Sequence, residues 1–167
     1  MARKELLDIA AQFSAYEVKF FDEKESFDII NPFGKDPISV VYHEMKEPDT
    51  SYIVCFSCWH IHLETANEVV AFVRDILEGR CGIIEFYNNG HIAMSTELDT
   101  QDLCELTFET LAKRMGVGGD SRMRLYANHY ADSLKVRGWG KDADFDARFI
   151  KDEQGNVSIQ MTEETAT

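Results

Sequence analysis

CFSCWHIH, residues 55–62, sets two cysteines and two histidines in eight positions, and its reading decides the fold. Taken as an extended strand, it sends alternate side chains to opposite faces. Cys58, His60 and His62 then share one face, and Cys55 lies on the other with Ile53, Trp59, Ile61 and Leu63. Taken as a metal knuckle, it needs a tight turn that brings both sulfurs to one ion at about 2.3 Å. Phe56 and Ser57 separate the cysteines with no glycine to make that turn, and the chain has no second Cys-x-x-Cys. The strand reading therefore leads: a central strand over 51–63 with Ile53, Cys55, Trp59 and Ile61 facing the core. Cys58, His60 and His62 stay as the candidate metal ligands. They form a row that needs a fourth donor, or a Cys–His pair that needs a lowered thiol pKa to act as a nucleophile.

Working outward, ISVVYHEM ahead of this stretch reads as a second strand, joined to it through Lys46-Glu47-Pro48-Asp49-Thr50. Further upstream, EVKFF and SFDII alternate in polarity and suggest a hairpin, preceded by an amphipathic helix over 2–14. Downstream, Thr65-Ala66-Asn67-Glu68 has the form of a capping box, and Val69, Phe72, Val73, Ile76 and Leu77 follow at helical spacing up to Gly79. That spacing predicts a helix over 66–78. CGIIEFY and HIAMS flank Asn88-Asn89-Gly90, a strong hairpin signal, and DFDARFI with NVSIQM reads as a terminal hairpin. Two more helices are expected, one from Asp99 or Thr100 to Met115 and one over 121–135. The expectation is a single α+β domain over 1–167, an antiparallel β-sheet built from hairpins and flanked by about four helices.

A chain of 167 residues can bury a core without staples. Four cysteines with no secretory signal ahead of them read as buried thiols in a cytoplasmic protein. No apolar stretch approaches the ~18 residues of a membrane span. The net charge is −13. It is uneven: residues 111–141 carry seven cations against Asp120 and Asp132, so the acidic excess lies elsewhere in the chain.

Within that basic segment, LTFETLAKRMGV, residues 106–117, resembles the second helix and turn of the helix-turn-helix DNA-binding families. Thr107 stands where those motifs start the helix, Leu111, Ala112 and Met115 at packing positions, and Gly116-Val117 at the turn. The resemblance implies a recognition helix within 121–135 carrying Arg122 and Arg124. Gly118-Gly119-Asp120 lengthens the turn, and the acidic remainder of the chain opposes phosphate binding, so nucleic acid is the weaker partner. Arg122 and Arg124, with Arg137 and Trp139 in the loop KVRGWGK, are the candidate partner-binding residues, since arginine and tryptophan anchor interfaces.

The chain has no phosphate loop, no Gly-x-Ser-x-Gly elbow and no His-Glu-x-x-His helix, so no cofactor is implied and the balance leans away from an enzyme. The reading is a non-catalytic protein that binds a basic macromolecular partner, a protein above all, through an acidic surface. The alternatives are a metal protein or enzyme centred on Cys58, His60 and His62, and DNA binding through 106–135.

Overall fold

The computed structural model describes residues 2–21, 25–44, 50–99, 130–154 and 157–162. The chain divides into two compact units, Met1–Glu78 and Gly79–Thr167. Both are built on antiparallel five-stranded sheets, so the α+β class holds but hairpins build two sheets where one was expected. Among the described residues there are two helices, neither long and apolar enough to cross a membrane. The expected helix 99–115 falls almost entirely outside the described residues, as does 121–129.

In the first unit, α1 (Ala2–Ala11) precedes β1 (Val18–Phe21), β2 (Ser26–Ile29), β3 (Ile38–Glu44), β4 (Thr50–Phe56) and β5 (Trp59–Leu63), followed by α2 (Ala66–Leu77). The strands pair in chain order, a simple meander. Register places apolar residues in transverse rows on one face: Val18–Ile29–Ile38–Phe56–Trp59 and Phe20–Phe27–Val40–Val54–Ile61. The helices cover that face. Leu6, Ile9, Ala10 and Phe13 of the α1 segment recur at helical spacing and are buried, as are Val69, Val73 and Ile76 of α2. Leu63, Phe72 and Leu77, also expected in this core, are half-buried, and the Trp59 and Phe72 ring centroids lie 5.7 Å apart.

The single strand expected over 51–63 is in fact a hairpin. Ser57 and Cys58 form a two-residue turn between Phe56 and Trp59, which pair directly, and Ser57 takes the left-handed φ of 53°. Phe56 and Trp59 would face opposite ways in a continuous strand; across the turn they face the same way. Trp59 and Ile61 therefore reach the helix-covered side as expected. Ile53 and Cys55 do not: Tyr52, Val54 and Phe56 take the core positions.

In the second unit, β6 (Cys81–Asn88), β7 (His91–Asp99), β8 (Ser133–Arg137), β9 (Phe145–Lys151) and β10 (Val157–Met161) lie in the order β10-β9-β8-β6-β7. Asn89 and Gly90 both have positive φ (49° and 77°), as the Asn-Gly hairpin predicts. Ile84, Phe86, Leu134, Val136, Ala147 and Val157 form the buried cluster. Ser133–Lys135, the last residues of the expected helix 121–135, are strand instead. Leu134 and Val136 are buried and alternate with half-buried Lys135 and Arg137, a period of two that lets β8 pair with both β6 and β9.

Candidate functional site

The hairpin turn rearranges the candidate residues of CFSCWHIH. His60 and His62 stand on the sheet face turned away from the helices, both exposed, with ring centroids 5.5 Å apart. Cys55 pairs with His60, and Ile53 with His62, so Cys55 joins their face rather than the opposite one. Cys58 sits in the turn, exposed, outside the row in which it was expected. Among the described residues no group of three or more His, Cys, Asp or Glu side chains is placed to hold a metal ion.

Two transverse rows make up this open face: Lys19–Asp28–Ser39–Cys55–His60 and Phe21–Ser26–Val41–Ile53–His62. Burial pushes the Cys55 thiol above its ordinary pKa, and the Asp28 carboxylate in the same row pushes it further. A thiol so placed stays protonated, the opposite of what an activated nucleophile needs. Cys55, Cys58 and Cys81 form no disulfide.

The candidate partner-binding residues separate in the same way. Arg122 and Arg124 lie outside the described residues, as does 106–129 of the helix-turn-helix-like segment. Trp139 is 4% exposed, so it fills the interior of the second unit. Arg137 is half-buried and engaged at home: its Nη1 donates to Asp146 Oδ1 at 3.0 Å, and its Nε lies 3.9 Å from Glu85 Oε2. Tyr87 also donates to Glu85, at 2.9 Å, and Lys135 stands over the Tyr87 ring. This network offsets the cost of burying Glu85, whose side chain is 5% exposed.

A groove of ≈ 410 Å³ lies between α1 and α2. Leu6, Ile9 and Ala10 point α1 at the sheet, which turns Glu5, Asp8 and Gln12 outward at spacings of three and four. Asn67 and Arg74 of α2 form the other wall, and Arg74 Nη2 donates to Gln12 Oε1 at 3.3 Å across one end. The start of α2 is held by a reciprocal box: Glu68 N–H donates to Thr65 Oγ1, and Thr65 N–H donates to Glu68 Oε2 at 2.9 Å. Tyr52 of β4 donates to Glu5 Oε2 at 2.7 Å and so steadies the acidic wall.

The groove thus offers two carboxylates, the side-chain amides of Gln12 and Asn67 and, at the end where it is tied to Gln12, the Arg74 guanidinium, around a floor of Ile9, Ala66 and Val70. Its size falls in the range of ligand-binding clefts. Glu5 and Asp8 were legible only as the polar stripe of an amphipathic helix; nothing in the chain marked Asn67 and Arg74 as their neighbours.

No protein-family model, no curated protein and no solved structure matches this chain.

Proposed function

We propose that this chain is a non-catalytic binding protein whose first unit receives a basic segment of another protein in the groove between α1 and α2. The observation that carries the reading is the pairing of Glu5 and Asp8 with the apolar floor of Ile9, Ala66 and Val70. A lysine or arginine head would meet the carboxylates in charge-assisted hydrogen bonds, and its aliphatic stem would lie on the floor. The net charge of −13 supports the same partner by drawing cationic chains toward the surface before contact.

Fluorescence anisotropy with a labelled amphipathic peptide of arginine and leucine tests this, with a glutamate–leucine peptide as control. The expected result is saturable binding of the basic peptide alone, weakening as salt screens the charges. Glu5→Gln with Asp8→Asn should abolish it, because the amides keep the shape and lose the charge. Glu17→Gln with Asp36→Asn removes the same charge from exposed positions outside the groove and should leave binding intact. Equal weakening by both pairs would reduce the effect to net charge and defeat the proposal, as would failure to bind.

A further inference from the structure

We propose that His60 and His62 chelate a divalent transition-metal ion, Cu²⁺ or Zn²⁺, on the open face of β5. The inference is independent of the groove. Residues two apart in a strand point the same way with Cα atoms about 6.6 Å apart, so their side chains run side by side. Two imidazoles bound to one ion through metal–nitrogen bonds of about 2.0–2.1 Å have ring centroids roughly 4.5–5.3 Å apart, for bond angles between square and tetrahedral. The observed centroid separation is 5.5 Å, and both rings are exposed and able to turn. That separation is within a few tenths of an ångström of the chelating range, and turning the rings out of their present edge-to-face arrangement, 70° between planes, would aim one nitrogen of each at a common ion.

The backbone beneath them is already set. His60 pairs with Cys55 and His62 with Ile53 in the β4–β5 hairpin, so the ion does not have to order the strand that binds it. Imidazole is a borderline donor that suits Cu²⁺, Zn²⁺ and Ni²⁺ and offers little to Mg²⁺ or Ca²⁺. With two protein ligands, water completes the shell. Such a site is open and exchangeable, unlike a closed structural zinc that holds a fold together. The negative charge of the chain raises the local concentration of any cation.

The test is calorimetric titration of the full, untagged chain with CuCl₂, ZnCl₂ and MgCl₂. A single saturable site is expected for Cu²⁺, a weaker one for Zn²⁺, following the usual affinity order, and none for Mg²⁺. His60→Ala and His62→Ala should each weaken binding at least about tenfold, since losing even an outer-shell partner costs that much. Both side chains are exposed, so both variants should fold, which circular dichroism checks. Cys58→Ser and His91→Ala should bind like the wild type. Unchanged affinity in either histidine variant, loss of binding in Cys58→Ser or His91→Ala, or the absence of saturable binding would overturn the assignment.

Discussion

Tyr52, in β4, donates its phenolic hydrogen to Glu5 of α1 at 2.7 Å and links sheet to helix across 47 positions of sequence. Burial and the Glu5 carboxylate both push the phenol above its ordinary pKa of 10. The folded state therefore holds the proton more tightly than the unfolded chain. The stabilisation is fully present below about pH 10 and is lost as pH rises from there toward the raised folded value.

Tyr52→Phe should cost about 1 kcal/mol at neutral pH, because exposed Glu5 can rehydrate when its donor is removed. The variant should also lose less stability than the wild type between neutral and strongly alkaline pH. Denaturant unfolding across that range checks both expectations. Parallel curves for the two proteins would show that the bond does not bear on stability.

Two aromatics of the first core should differ in weight. Phe27 is fully buried in β2, and Phe27→Ala should cost about 3–5 kcal/mol. Phe72 is half-buried against Trp59, so Phe72→Ala should cost roughly half as much. Equal losses in urea unfolding would mean that the Phe72 ring is as well enclosed as Phe27.

The cap of α2 makes an acid-side prediction. Hydrogen bonds from the Thr65 backbone and side chain hold Glu68 below the usual carboxylate pKa. Its contribution is present above the unfolded carboxylate value and lost as pH falls through the lowered folded value. Thr65→Ala should cost about 1 kcal/mol near neutrality. The wild-type advantage should shrink in acid, as thermal melts of the pair at several pH values would show.

Gly138 is required by a close approach rather than by backbone conformation. A Cβ placed there would lie 2.5 Å from the Ala143 Cβ, and neither group has a flexible end that could move aside. Gly138→Ala should cost about 1–3 kcal/mol. Adding Ala143→Gly should recover part of the loss despite glycine's own entropic penalty. No recovery in the double variant would place the cost elsewhere.

Local signals announced the elements that depend on local chemistry. Thr65 and Glu68 marked the start of α2 to the residue, and Asn89-Gly90 marked the turn between β6 and β7. The turn at Ser57-Cys58 carried no such mark. A serine there adopts a left-handed φ, stabilised by the pairing of flanking strands that both need to bury their apolar sides. Missing those two residues reversed the assignment of Ile53 and Cys55 while leaving Trp59 and Ile61 correct. At β8 the error had another source. Leu134 fits a helical spacing when counted from Tyr130, yet Leu134 and Val136 fill places between β6 and β9 that only tertiary pairing defines. The groove was hidden for the same reason, since its walls come from helices separated by the whole meander.

The strand orders of the two sheets carry a consequence for how the chain is made. Translation delivers β1 to β5 in the order in which they pair, so each arriving strand finds its neighbour already outside the ribosome. The next sheet breaks that rule. β6 emerges with β7 close behind, yet its other flank must wait for β8, which begins at residue 133. Bringing together strands so far apart in sequence costs more entropy than closing a hairpin, and one edge of β6 stays exposed during the interval. A pause in synthesis within that interval would leave a bare strand edge on the nascent polypeptide, and that is the stage at which a holding chaperone would matter most.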